Sequence, residues 1–210
     1  MTPYFGKIEV YCNWLWQGRK QCNETWKPPP SSAYKLNFDA AIFADLDRTG
    51  VGANIRNEQG QVMTAMTTSG PKVSSSEEVE LLACRRSMEF AVDVGFTKLI
   101  IEGDNVNVMQ AISSSRINCS LLGYVVDDIC HLVHCLEWAR ISITRRGGNK
   151  VAHALAQHAR NSLDNDVYWI EDSPPPAVEA LIQNAMLLWL YEWMISFSKK
   201  KKQYCKSSVM

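Results

Sequence analysis

The chain has 210 residues, of which 46% are hydrophobic and 21% are charged, a composition that is typical of a globular protein and excludes an intrinsically disordered one. The 22 basic side chains balance the 22 acidic ones, so no overall positive field attracts a polyanion. Any binding of nucleic acid must therefore come from a local patch.

Cysteine usage and the N-terminus point to an intracellular protein. The seven cysteines are odd in number and include no Cys-x-x-Cys pair, which favours reduced core thiols over a disulfide framework or a zinc site. Residues 1–25 mix charged and aromatic side chains and lack the continuous apolar stretch of a secretory signal. We expect a protein of the nucleus or the cytoplasm that is not secreted.

A proline-rich linker marks the start of the main domain. Three prolines, Pro28–Pro30, are followed by two serines, and such a segment favours an extended conformation. The tail after the last predicted helix contains a second run, Pro174–Pro176. We predict an N-terminal extension over 1–33, a domain over 34–162 and a C-terminal extension over 163–210.

The first half of the domain predicts an antiparallel meander followed by a helix. Apolar residues alternate with other residues over 34–42, and two further strand patterns, over 51–56 and 61–67, are separated by turn residues. Ser75 begins a capping-box pattern, and the apolar residues after it recur at helical spacing up to the stop signal Gly95.

The second half of the domain alternates strands with helices. Leu99–Ile101 is a short apolar run that is typical of a strand buried on both faces. Helices are predicted over 105–112 and 121–136, then a strand over 138–144 and a last helix capped by Asn149. The order β-β-β-α-β-α-α-β-α predicts an α/β fold whose mixed five-stranded sheet has three antiparallel strands, then parallel strands, with helices on both faces.

Three carboxylates stand where this topology could bring them together. Asp104 follows a strand at its carboxyl end, where open α/β sheets bind ligands, although an Asp before a helix is equally an N-cap. Asp39 lies on the first strand and approaches Asp104 if the two strands are parallel neighbours; periodicity alone makes it a solvent-facing residue. Glu80 lies near the start of the intervening helix, where Glu77 and Glu78 also suit the helix dipole. A cluster of three carboxylates would suit a hard cation such as Mg²⁺.

Four blocks of the sequence resemble, in order, those of the ribonuclease H-like family: Lys35–Ala41, Ser75–Ala83, Ile101–Asn105 and Asn149–Ala156. More narrowly, they are similar to the plant domain found in non-LTR retrotransposon polyproteins and as stand-alone proteins. The similarity extends from about Trp26 to Ala185. It implies the ribonuclease H-like version of the α/β fold.

The resemblance also implies a site and a reaction. Asp39, Glu80 and Asp104 take the metal-binding and catalytic positions, with Mg²⁺ or Mn²⁺ as the cofactor. The fourth catalytic position, usually Asp, is occupied by His153, whose neutral imidazole is a poorer Mg²⁺ ligand, so a second ion should bind more weakly. The alternative for His153 is a surface or capping-region histidine. The implied reaction is two-metal hydrolysis of the RNA strand of an RNA–DNA hybrid, which makes nucleic acid the implied partner.

Two arginines are candidate substrate contacts. Arg145 and Arg146 precede the last helix, at the edge of the sheet where the fold implies the active site, and could contact phosphates; a solvated loop is the alternative. The chain has no obvious Lys/Trp-rich insertion between the middle helices. Affinity for a hybrid is therefore expected to depend on a partner or on the flanking segments.

The C-terminal apolar run, Ala185–Phe197, is shorter than the roughly 20 residues that span a bilayer. We expect it to pack on the domain or to form an irregular extension, with no membrane partner. The alternative is an interfacial anchor in which Lys199–Lys202 meet anionic lipid.

Three functions remain open from the sequence. A weak Mg²⁺-dependent ribonuclease H-type hydrolase is favoured by the three carboxylates. A catalytically silent, retroelement-derived module that binds nucleic acid or protein is favoured by His153 and by the zero net charge. A purely structural α/β domain would require three carboxylate matches to be accidental.

Overall fold

The computed structural model describes residues 8–10, 25–73, 75–114, 122–162 and 166–190, with side chains described from residue 25 onward. The cluster Lys199–Lys202 and the part of the apolar run after residue 190 lie outside the described residues.

One mixed sheet organises the described fold. Its seven strands are β1 (Ile8–Val10), β2 (Tyr34–Phe43), β3 (Arg48–Arg56), β4 (Val62–Pro71), β5 (Lys98–Gly103), β6 (Trp138–Ile143) and β7 (Val167–Ile170). Their order across the sheet is β1-β6-β5-β2-β3-β4-β7. β2, β3 and β4 form the predicted antiparallel meander, β5 runs parallel to β2, and β6 runs parallel to β5.

The sheet confirms the predicted α/β class and adds two strands to the five that were predicted. β1 has three residues and pairs with β6, whereas β7 has four residues and pairs with β4. Both are edge strands, and segments this short give no reliable alternation of apolar and polar residues. Five strands were therefore all that the pattern could identify.

The helices follow the predicted order between β2 and the end of the domain. They are α1 (Ser76–Asp93), α2 (Val106–Ser113), α3 (Gly123–His134) and α4 (Lys150–His158). After the turns of 3-10 helix at Ala159–Asn161 and Pro175–Ala177, residues 178–190 form a further helix, α5.

Local capping signals set the starts of two helices. The side chain of Ser75 accepts a hydrogen bond from the backbone N–H of Glu78, as predicted, and Gly95 follows α1 with a φ of +87°. Asn105, rather than Asp104, is the N-cap of α2, because its side-chain oxygen accepts from two backbone N–H groups of the first turn. The carboxylate of Asp104 is therefore not used for capping.

The helices cover both faces of the sheet. Leu36 and Phe38 of β2 face a core that α1, α2 and α3 complete. Ala41 and Phe43 point the opposite way and pack against Ala156 of α4. Because side chains alternate along a strand, one strand serves both layers.

Two glycines of β3 let α4 lie unusually close to the sheet. A methyl group on Gly52 would overlap the backbone of Ala152 and Ala156, and one on Gly50 would overlap Ala156 and Ala159. Larger side chains at these positions would push α4 outward. The lack of a side chain at Gly50 and at Gly52 thus sets how close α4 lies to the sheet.

Trp26 packs into the fold although it precedes the predicted domain. Its ring is 1% exposed, and its Nε1 donates a hydrogen bond of 2.9 Å to Asn37 Oδ1. The guanidinium of Arg56 lies 3.8 Å from the centre of the ring. The limits at 34 and 162 stay a prediction, since residues on both sides of them contribute to the same sheet.

The helix α5 has one packed side and one open side. Ala180 and Leu181 pack against a small core that includes Leu155. Ile182 and Trp189 are 54% and 65% exposed. No helix of the described residues combines the length and the apolar character that crossing a membrane requires.

Candidate active site

Asp39 and Asp104 lie side by side because their strands are parallel neighbours. β2 and β5 pair in register as far as Asn37 opposite Glu102. Asp39 and Asp104 each stand two residues further along, so the same register brings them to one level of the sheet. The pairing that their approach requires is therefore present.

Glu80 reaches the same point from α1. Glu77 and Glu78 occupy the first turn of this helix, and neither joins the two aspartates, whereas Glu80 does. The docking of α1 on the sheet makes the choice among the three acids. No local feature of the sequence distinguishes Glu80 from its two neighbours.

The three carboxylates form a compact group. One oxygen from each of Asp39, Glu80 and Asp104 lies within 4.8 Å of the others. Oxygen donors at this spacing, supplied by three different elements, can surround a small divalent cation, and Mg²⁺ and Mn²⁺ both prefer carboxylate ligands. The residues present therefore fit a hard divalent ion.

Burial and mutual repulsion disfavour the charged forms of two of these groups. The pKa of Glu80 rises to about 8, first because the group is buried and then because Asp39 and Asp104 are close. The pKa of Asp39 rises to about 6 through burial and the charge of Asp104, while hydrogen bonds from His153 and the Ala40 N–H oppose the rise. A bound cation would relieve this repulsion.

His153 meets the group at one of its members. The imidazole Nδ1 lies 2.7 Å from Asp39 Oδ2, and the His153 side chain is 61% exposed while that of Asp39 is 7% exposed. Among the described residues, His153 does not belong to the set of ligand atoms that could share one ion. It is thus neither a remote surface histidine nor an equivalent fourth ligand.

The prediction that the side chain of Asn149 caps α4 is wrong. It occupies the N-cap position, but no side-chain capping bond forms; instead its Nδ2 donates a hydrogen bond of 2.8 Å to the backbone oxygen of Phe38. The side chain is drawn inward because the start of α4 lies directly over β2, where Asn149 is 1% exposed. This bond ties α4 to the residue that precedes Asp39.

A cavity of about 670 Å³ opens over the carboxylates, and basic side chains line its wall. Arg146 lines it, as expected for a phosphate contact, whereas Arg145 is not among its lining residues. Lys150 also lines it and was missed, because a lysine in the first turn of a helix carries no distinguishing signal. The cavity therefore places cationic groups next to an acidic centre.

The comparisons with known proteins place the chain in a family. A family model described as reverse transcriptase-like matches residues 37–159, more than half of the chain. The chain belongs to this family. The matched residues include all three carboxylates of the cavity together with His153. A comparison with curated proteins gave no match.

Three solved proteins with a fold similar to that of this family member are ribonucleases H. Ribonuclease H1 of the halophilic archaeon Halobacterium salinarum has a TM-score of 0.57 at 19% identity, covering 62% of this chain and 99% of its own. The N-terminal RNase H domain of a Mycobacterium tuberculosis protein has a TM-score of 0.53 at 17% identity, with 62% and 94% covered. A ribonuclease H1 isolated from compost by a metagenomic approach, solved in complex with an RNA/DNA hybrid, has a TM-score of 0.53 at 14% identity, with 61% and 97% covered. These likenesses establish the ribonuclease H-like fold.

Proposed function

We propose that this domain hydrolyses phosphodiester bonds in the RNA strand of RNA–DNA hybrids, in a weak reaction that requires Mg²⁺ or Mn²⁺. The observation that carries the proposal is the convergence of Asp39, Glu80 and Asp104, from three separate elements, within 4.8 Å of one another. The neighbouring fold that was solved with an RNA/DNA hybrid supports the choice of substrate.

Each group of the cavity has a role in this proposal. Asp39, Glu80 and Asp104 would hold a divalent ion, which would act as a Lewis acid that activates water and stabilises the leaving oxygen. Before the ion arrives, the carboxyl of Glu80 retains its proton near neutral pH, because its pKa is about 8. Arg146 and Lys150 line the wall on which the phosphates of a nucleic acid would lie, and they counter its negative charge.

A catalytically silent module that binds nucleic acid or protein is the second candidate. The observation that favours it is the 2.7 Å contact between His153 Nδ1 and Asp39 Oδ2, since this contact removes ligand capacity from the site. The origin of the domain in a plant non-LTR retroelement remains part of the proposal, supported by the four sequence blocks. A nuclear or cytoplasmic location is likewise proposed from cysteine usage, and the described Cys84, Cys130 and Cys135 are free thiols.

Cleavage of an end-labelled RNA–DNA hybrid tests the enzyme directly. We expect the full chain to cut the RNA strand with Mg²⁺ or Mn²⁺, and we expect Glu80→Gln to lower the rate at least about 100-fold, more than the loss of an outer residue of a metal site. Glu77→Gln is the matched control, because Glu77 lies in the same helix start but outside the carboxylate group, and it should cut like the wild type.

Asp104→Asn should abolish cleavage in the same assay. Failure of the folded wild-type chain to cut with either ion would reject the enzyme. Retained binding of the hybrid in a gel-shift assay would then establish the silent module.

A further inference from the structure

We infer that the site binds one divalent cation, held by Asp39, Glu80 and Asp104, and that the imidazole of His153 stands where a second cation would otherwise bind. The inference rests on the proposed function, because it concerns the ion on which the proposed hydrolysis depends. It goes further in fixing the number of ions and in naming the residue that sets that number.

The first support is that His153 already engages one carboxylate oxygen of Asp39. A carboxylate that is shared between two ions about 3.5–4 Å apart gives one oxygen to each of them. Of the two oxygens of Asp39, Oδ2 is engaged by His153 Nδ1 at 2.7 Å. One oxygen of Asp39 thus faces an imidazole and not an open ligand position, which leaves a single unengaged oxygen for a cation shared with Glu80 and Asp104.

The second support is the charge of the cavity. Three carboxylates neutralise one divalent ion and leave one formal negative charge, whereas two divalent ions would leave a net positive charge. Arg146 and Lys150 line the same cavity and add to the positive side. The imidazole contributes no negative charge, and no fourth carboxylate joins the group among the described residues. A second ion is therefore opposed by both its missing ligand and its neighbours.

The third support is the rigidity of the frame that presents His153. Its backbone N–H donates to the Asn149 backbone oxygen at 3.0 Å, within the first turn of α4. Asn149 is itself bonded to the Phe38 backbone, and the glycines of β3 hold α4 against the sheet. The contact between His153 and Asp39 thus follows from how α4 is docked, so the imidazole is held at the carboxylate.

Counting bound ions tests the inference without any measurement of activity. Free Mn²⁺ is followed by electron paramagnetic resonance while it is titrated into the full chain, and isothermal titration calorimetry gives an independent count. We expect one ion per wild-type chain and two per His153→Asp chain, because the substitution removes the imidazole and supplies a carboxylate.

His158→Asp is the matched control, since it makes the same substitution in the same helix at a residue that does not line the cavity. It should bind one ion, whereas Asp104→Asn should bind none at the concentrations that saturate the wild type. Circular dichroism checks that each variant is folded; if His153→Asp fails to fold, the wild-type count decides alone.

The outcomes separate this inference from the proposed function. Two ions on the wild type, or only one on folded His153→Asp, would overturn the inference even if the hybrid is cut. One ion on the wild type with no cleavage of the hybrid would uphold the inference and reject the enzyme. A wild-type chain that binds no Mn²⁺ would overturn both.

Discussion

At the scale of single residues, the site combines side chains that are costly to keep together without a cation. Asp39 is 5% exposed and Glu80 is half-buried, and each has at least one negative neighbour. The energy needed to charge them appears as raised pKa values. The fold therefore keeps together an arrangement that favours protonation of these carboxyl groups.

The raised pKa values predict that the metal-free protein loses stability as pH rises. Glu80 has a pKa of about 8 in the folded chain against an ordinary value of 4.5, so between these values the folded state holds the proton that the unfolded state has lost. The free energy of unfolding then falls with pH, by at most about 1.4 kcal/mol per pH unit for each such proton. Asp39 adds to the fall between its ordinary pKa of 3.8 and its raised pKa of about 6.

Urea unfolding in EDTA at several pH values between 5 and about 8 measures this slope. Glu80→Gln should flatten it, because the amide carries no titrating proton. Saturating Mg²⁺ should raise stability most at the alkaline end, where the carboxylates are free to bind. A metal-free stability that stays level or increases over this interval would contradict the prediction.

At the scale of elements, the position of α4 decides the site. The helix contributes His153, and its N-cap residue Asn149 reaches the backbone of Phe38. Both contacts require α4 to lie close to β2 and β3, which the small residues Gly50, Gly52 and Ala156 allow. Larger side chains at positions 50 and 52 of β3 would move α4 outward and separate His153 from Asp39.

Gly52→Ala is predicted to lower stability by about 1–3 kcal/mol, the usual cost of forcing extra volume into a packed layer. It should also loosen the contact between His153 and Asp39, because α4 would move away from β2. Gly70→Ala serves as the control, since an added methyl would meet only the Thr49 hydroxyl at 3.1 Å near the end of β4. Urea unfolding that ranks the two variants equally would show that α4 does not depend on this approach.

The elements also show where pattern reasoning succeeds. Strand alternation and capping signals identified β2 to β6 and the four helices up to α4, because these signals are local and depend on a few neighbouring residues. β1 and β7 were not predicted, because each is short and is defined by its pairing with a distant strand. The side-chain hydrogen bond of Asn149 was predicted wrongly for a similar reason. Its position before α4 suggests an N-cap, but its hydrogen-bond partner, the backbone oxygen of Phe38, lies 111 residues away.

At the scale of the whole molecule, the segment before β2 packs against the sheet. Lys35 is buried, and its Nζ donates to Glu102 Oε1 at 2.8 Å and to the Lys27 backbone oxygen at 2.7 Å. Burial lowers the pKa of Lys35 and lowers that of Arg56 to about 9. Trp26 covers this polar group and shields it from water.

Trp26→Ala is predicted to destabilise the full chain by about 3–5 kcal/mol, as for other large aromatic residues removed from a core. The loss would also expose the Asn37–Arg56 hydrogen bond of 3.2 Å to water. Trp189→Ala is the matched control, since Trp189 is 65% exposed and should change stability by less than about 0.5 kcal/mol. Chemical unfolding of both variants checks the prediction, and equal midpoints would place Trp26 outside the cooperative unit.

The sequence by itself determined the α/β class and the order of most elements, and the resemblance of four of its blocks to a known family indicated which acids to consider for the site. These properties follow from periodicity, capping signals and the order of motifs, each of which depends on residues that are close together in the chain. Only the tertiary structure decided that Asp39 stands level with Asp104, that Glu80 and not Glu77 joins them, and that His153 is held at Asp39. Those facts depend on strand register and on the depth of helix packing, which are set by contacts between residues far apart in the chain.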